Sequence, residues 1–239
     1  MKANIRNINI NYIQYGNGED VILLHGWGQN IAMMNPIGEK LKNKRITIID
    51  LPGFGESDEP IEEITVFDYA DIVKELVDKL KIKRPTIIGH SFGGRIGIIY
   101  ASKYDVNKLI LLGAPCVREN TKESMKVKAL KGLKKIPFAS KLEGFAKNHM
   151  GSEDYKKASP IMKKVLVNTV NTDLSECAKK IEAPTLLIWG DLDTEAPLED
   201  AKKLEKLLKD GGLVVYEGGT HYTYLEFLIP VCNVINKFI

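Results

Sequence analysis

What most constrains the fold of this chain is a series of short, wholly apolar runs, each stopped abruptly by a turn-forming segment. Val21-Ile22-Leu23-Leu24 ends at His25-Gly26-Trp27-Gly28, and Ile46-Thr47-Ile48-Ile49 ends at Asp50-Leu51-Pro52-Gly53-Phe54-Gly55. Thr86-Ile87-Ile88 stops at Gly89-His90-Ser91-Phe92-Gly93-Gly94. Leu109-Ile110-Leu111-Leu112, Thr185-Leu186-Leu187-Ile188-Trp189 and Leu213-Val214-Val215-Tyr216 extend the series. Short runs rich in β-branched residues, apolar at every position, are what strands covered on both faces look like. Helical patterns fill the intervals. Phe67, Ala70, Val73, Leu76, Val77 and Leu80 recur at steps of three or four, and further helices are predicted over Arg95–Ser102, over Pro197–Lys209 and from Tyr222 onward. Strand alternating with helix predicts an α/β architecture, a mainly parallel sheet flanked by helices. Near the start, Asn4 to Tyr15 alternates polar and apolar residues before Gly16-Asn17-Gly18, which reads as an exposed strand or hairpin.

The alternation breaks once, between Pro115 and Lys180. A crossover between parallel strands needs only about a dozen residues or somewhat more. The surplus is predicted to be an inserted cap of short helices beside the strand ends, where ligands bind in such sheets. The expected organisation is therefore a core of residues 1–114 and 181–239 with a helical cap or lid over 115–180. From Cys116 to Lys180 there are fifteen Lys and Arg against seven Asp and Glu, a bias that would focus anionic ligands at a pocket entrance.

Composition excludes several classes. A 44 % apolar and 27 % charged chain is ordinary for a globular protein. A formal charge of +3 argues against a nucleic-acid partner. Three cysteines (Cys116, Cys177 and Cys232) are too few and scattered for a disulfide framework or a thiolate metal site, and no cofactor or metal is expected. No stretch is apolar enough to span a membrane, and the opening Met1-Lys2-Ala3-Asn4-Ile5-Arg6 lacks the apolar run of a signal peptide, so a cytoplasmic location is expected.

Gly89-His90-Ser91-Phe92-Gly93 has the G-x-S-x-G spacing of a nucleophile elbow, following a strand and opening a helix. Glycine two residues either side of Ser91 leaves room for a tight turn that exposes the hydroxyl, with a helix N-terminus aimed at developing negative charge. A serine hydroxyl needs a base to take its proton, and histidine suits neutral pH. Of the four histidines, His25 and His90 belong to turns and His149 lies amid polar residues of the insert. His221, after Gly218-Gly219-Thr220 and the last strand, is the expected base. A carboxylate must orient it, and Gly190-Asp191-Leu192-Asp193 offers two at a strand end. Two backbone N–H groups must hold the oxyanion: that of Phe92, which follows the serine, and that of Trp27 in the glycine-flanked loop after an earlier strand.

These ordered motifs, with Asp50-Leu51-Pro52-Gly53-Phe54-Gly55-Glu56-Ser57, Trp189-Gly190-Asp191-Leu192-Asp193 and Gly219-Thr220-His221, resemble the α/β-hydrolase superfamily over essentially the full length. The resemblance implies the α/β-hydrolase fold with an inserted helical cap, Asp193 rather than Asp191 as the acid, and a structural role for Asp50. The insert resembles the caps of small carboxylesterases, carbon–carbon bond hydrolases and pimeloyl-carrier-protein methyl esterases, and the His-Gly-Trp-Gly turn is especially similar to the last group. The expected activity is a serine hydrolase acting through an acyl-enzyme on a carboxylic ester, with Ser91, His221 and Asp193 as the triad. The substrate is expected to be a small-molecule ester, anionic or carrier-linked, with Met33, Met34, Phe138 and Phe145 lining the acyl pocket. Hydrolysis of a thioester or a carbon–carbon bond would use the same groups. A ligand-binding receptor on the same scaffold is the non-enzymatic alternative, and it would not need all three.

Overall fold

The computed structural model describes residues 1–117 and 158–239. Eight strands form one sheet in the order β1-β2-β4-β3-β5-β6-β7-β8. They are β1 (Lys2–Ile5), β2 (Ile8–Gly16), β3 (Glu19–Leu24), β4 (Lys44–Ile49), β5 (Thr86–His90), β6 (Leu109–Leu112), β7 (Thr185–Gly190) and β8 (Gly211–Tyr216). The β1–β2 and β2–β4 pairs are antiparallel, and every pair from β4 to β8 is parallel. Each predicted apolar run is a parallel strand, and the central residues are buried in all but β8, which lies at the sheet's edge with Val215 exposed. The mainly parallel sheet flanked by helices is the architecture expected.

Helices close both faces, because a strand apolar at every position has two sides to cover. On one face α2 (Val66–Lys79), α3 (Phe92–Lys103) and α6 (Leu198–Leu207) pack over Ile22, Leu24, Ile87, Leu109, Leu111 and Leu187. On the other, α1 (Ile31–Gly38), the short α7 (Thr223–Glu226) and α8 (Leu228–Phe238) cover Val21, Leu23, Ile46, Ile48, Ile88 and Ile110. The start of α2 is fixed by a reciprocal cap, the Thr65 hydroxyl accepting from the Asp68 N–H while the Asp68 carboxylate accepts from the Thr65 N–H.

The Asn4–Tyr15 run takes the hairpin alternative, with its turn inside the run at Arg6-Asn7, both at positive φ (50° and 62°). That is the turn geometry a right-twisted hairpin prefers, here made without glycine. Helix α1 was not foreseen: it contains Pro36 and is only eight residues long. It forms because Asn30 caps it and the Asp50 carboxylate accepts from the Ile31 N–H at 2.8 Å.

The described ends of the insert, around Cys116 and over α4 (Pro160–Asn171) and α5 (Ser175–Ala178), pack into the same core as α2 and α3 through Cys116, Met162, Val165, Leu174 and Ala178. Arg95, buried in α3, joins these ends. Its guanidinium donates to the carbonyls of Pro115 at 2.7 Å and Thr169 at 2.9 Å, and to that of Thr172. Among the described residues no helix is long and apolar enough to cross a membrane.

Candidate active site

Parallel register aligns the carboxyl ends of the strands, and Trp27, Ser91, Phe92, Asp193 and His221 all follow those ends. Leu24 pairs with Gly89, His90 with Leu112, and Gly190 with Tyr216. The Ser91 N–H extends the ladder by donating to Leu112 at 3.0 Å, and the next residue already begins α3. The chain must reverse within one residue, and Ser91 absorbs the turn at φ 50°, ψ −110°. A non-glycine residue in that region is strained, and such strain persists where surrounding structure over-determines it. The over-determination is visible at the glycines. A Cβ on Gly93 would come within 2.3 Å of the Leu24 carbonyl oxygen, and one on Gly89 within 2.5 Å of the Gly93 carbonyl oxygen. Phe92, as the first residue of α3, has an N–H with no carbonyl one turn earlier in the helix to accept it.

His221 lies on the loop after β8 and is 7 % exposed. Its Nδ1 donates to Asp193 Oδ2 at 2.8 Å, which leaves Nε2 of the neutral ring as a proton acceptor. Asp193 is itself held: its Oδ1 accepts from the N–H groups of Glu195 at 2.9 Å and Ala196 at 2.8 Å. Asp191, the other carboxylate the sequence left open, accepts instead from the exposed Gly218 N–H at 2.7 Å and serves the loop between β8 and His221. Asp50 stabilises its own turn, accepting from Ile31, Glu56 and the Asn11 side chain.

Elbow and histidine loop are tied by His90, which is fully buried. Its Nε2 donates to the His221 carbonyl at 3.0 Å, and the two rings stand 4.8 Å apart. Its Nδ1 lies 3.2 Å from Gln29 Oε1, which accepts from the Gly26 N–H at 2.9 Å. One chain of contacts therefore links the Trp27 loop, the elbow and the His221 loop. Burial holds His90 well below the usual histidine range, and the proximity of His221 acts in the same direction. Burial likewise pushes His25 down to about 4; its Nδ1 donates to the Gly26 carbonyl and its Nε2 accepts from the Leu51 N–H. Both histidines are neutral supports of the site's loops.

Trp27 is half-buried and packs edge-on against Phe54 and Phe92, with ring centroids 4.9 and 5.3 Å apart. Beside it opens a cleft of about 220 Å³ between this loop and α4, lined by Trp27, Phe54 and Met162 with Glu59 and Ser159 at its polar side. The expectation for Met34 is corrected: it is fully buried in the core under α1, against Ile37, Ile46 and Ile48. Met33 is half-buried on α1 and is not part of the cleft. Phe138, Phe145, His149 and most of the insert's lysines lie outside the described residues. Sequence reasoning overlooked Glu195, whose Oε2 stands 3.5 Å from His221 Nε2. It also gave no role to Gln29, which no motif marks. Among the described residues no group of three His, Cys, Asp or Glu side chains is placed to hold a metal ion.

A family model described as the alpha/beta hydrolase fold matches residues 21–139. The AB hydrolase superfamily protein YisY of Bacillus subtilis is 28 % identical over 93 % of this chain and 92 % of its own length. A pimeloyl-[acyl-carrier protein] methyl ester esterase of Aliivibrio fischeri is 26 % identical over 93 % of this chain and 95 % of its own. Among solved structures, an esterase from Exiguobacterium antarcticum superposes with a TM-score of 0.77 and 25 % identity, covering 97 % of this chain and 95 % of that one.

Proposed function

The chain belongs to the alpha/beta hydrolase superfamily and is a hydrolase, and from that premise we propose that it is a serine esterase using Ser91, His221 and Asp193. The observation that carries the proposal is the strained Ser91, at φ 50° on a strand-to-helix turn, in a site that also holds a buried His221–Asp193 hydrogen bond of 2.8 Å. Strain at one half-buried serine, in a site where the loop after β8 holds a histidine oriented by a carboxylate, has no structural need but suits nucleophilic catalysis.

In the proposed reaction Ser91 Oγ attacks the ester carbonyl carbon while its proton passes to His221 Nε2. The N–H groups of Trp27 and Phe92 hold the oxyanion that forms. As the carbonyl re-forms, the carbon–oxygen bond to the alcohol breaks and Nε2 returns the proton to the leaving oxygen. Water then attacks the acyl-enzyme by the same route, its proton taken by Nε2 and handed to Ser91 Oγ as the acid departs. Asp193 fixes the tautomer and stabilises the imidazolium in each half-reaction. The likeness to the Aliivibrio esterase supports an ester of a small alcohol whose acyl half is carrier-linked.

A fluorophosphonate probe tests the reading. Labelling is expected in the wild type and absent in Ser91→Ala, whose kcat for an ester should fall on the order of 10⁶-fold. A Ser91→Ala protein that kept a tenth of the activity would overturn the assignment. A folded wild type that neither labels nor turns over any ester would favour a binding role on this scaffold.

A further inference from the structure

His221 stands between two carboxylates, and the proposed mechanism uses only one. Asp193 faces Nδ1, whereas Glu195 Oε2 lies 3.5 Å from Nε2, the nitrogen that must handle protons. Glu195 is held near that position by its backbone, since its N–H donates to Asp193 Oδ1 at 2.9 Å. Among the described residues no Lys or Arg is within ion-pair distance of it, and its side chain is 47 % exposed, open to whatever occupies the site.

Stereochemistry then says which part of a substrate Glu195 meets. To return its proton, Nε2 must come within hydrogen-bond reach, about 2.6–3.2 Å, of the departing alcohol oxygen. That oxygen therefore lies within about 7 Å of a carboxylate that contacts the same nitrogen, and groups on the alcohol one or two bonds further are at similar range. The acyl half extends from the other side of the carbonyl carbon. On this ground we propose that Glu195 is a specificity-determining residue that reads the charge of the leaving alcohol, favouring esters of cationic or neutral alcohols over those of anionic ones. The inference rests on the serine-esterase reading above. It places no restriction on an anionic or carrier-linked acyl half, and it restricts the expectation of an anionic substrate to that half. A unit charge a few ångströms from a partly exposed carboxylate is worth roughly a three- to tenfold change in rate at low salt, and less as the Debye length shortens.

Three butyrate esters matched in size test this: of choline (cationic), of 3,3-dimethylbutanol (its neutral isostere) and of 3-hydroxypropanesulfonate (anionic). The kcat/KM ratios are read within each enzyme, so a general loss of activity in a variant cancels. In the wild type the anionic ester is expected about three- to tenfold below the neutral one, the cationic ester at or above it, with both gaps narrowing between roughly 10 mM and 300 mM salt. Glu195→Gln should bring both ratios to within about twofold of one, and Glu195→Lys should invert them. Equal rates in the wild type, or discrimination that survives Glu195→Gln, would overturn the inference while turnover and Ser91 labelling left the esterase reading standing. No turnover of any of the three and no Ser91 labelling would overturn both.

Discussion

Ser91 carries its strain between two regular elements, the last residue of β5 and the first of α3. That is why its position could be read from sequence: a backbone forced into that corner needs glycines at fixed offsets, and those offsets are visible as Gly89 and Gly93. The proposed acid was harder to single out. Asp191 and Asp193 follow the same strand, and only the folded loop decides that one turns inward to His221 and the other outward to the Gly218 N–H. Asp193→Asn should therefore lower kcat on the order of 10⁴-fold, because an amide supports the wrong imidazole tautomer. Asp191→Asn should cost far less. Side-by-side assays of the two purified variants check this, and the reverse ranking would transfer the role to Asp191. Glu195 was invisible because its approach to Nε2 is set by the path of the chain between Asp193 and Ala196, and no periodicity or motif encodes that path.

Elements with strong periodicity or continuous apolar runs, such as α2 and the parallel strands, were predicted to within a few residues. Those held together by tertiary hydrogen bonds were not. Helix α1 depends on Asp50, nineteen residues past its first N–H donor, and the β1–β2 turn replaces glycine with Arg6-Asn7 at positive φ. A similar dependence governs how α3 holds α4. Arg95 donates to carbonyls, and burial pushes its guanidinium down to about 10 although the Asp173 charge acts the other way. Arg95→Met preserves much of the stem packing but leaves three inward-facing carbonyls without their donor. The variant should lose about 3 kcal/mol of stability, since each orphaned buried acceptor costs roughly 1–3 kcal/mol and the buried charge is relieved in return. Arg95→Lys should fall between. Urea unfolding of the three proteins measures this, and an Arg95→Met midpoint equal to wild type would mean that the carbonyls find other donors.

Across the whole molecule, the two buried histidines that support the site loops make stability depend on pH. The unfolded rings titrate near 6.5, while burial holds folded His25 at about 4 and folded His90 well below its ordinary value. As pH falls from 6.5 toward 4, the unfolded chain binds protons that the native protein refuses, so stability declines over that window. The His25 share is on the order of 3 kcal/mol once pH reaches about 4. Urea unfolding at pH 7 and pH 5 should show the decline, and equal stability at the two would contradict neutral burial. The clasp at Arg95 has a consequence of another kind. It pins Pro115, just past β6, beside Thr169 and Thr172 at the far end of α4, so the two ends of that stretch of chain are joined. A loop whose ends are already joined pays only logarithmically for added length, about 0.6 kcal/mol per doubling. Changes of length are therefore expected to be tolerated before α4 rather than within it, since Met162 and Val165 of that helix are core residues; insertion of a few residues ahead of Ser159 should leave the urea midpoint nearly unchanged, whereas a deletion within α4 should lower it.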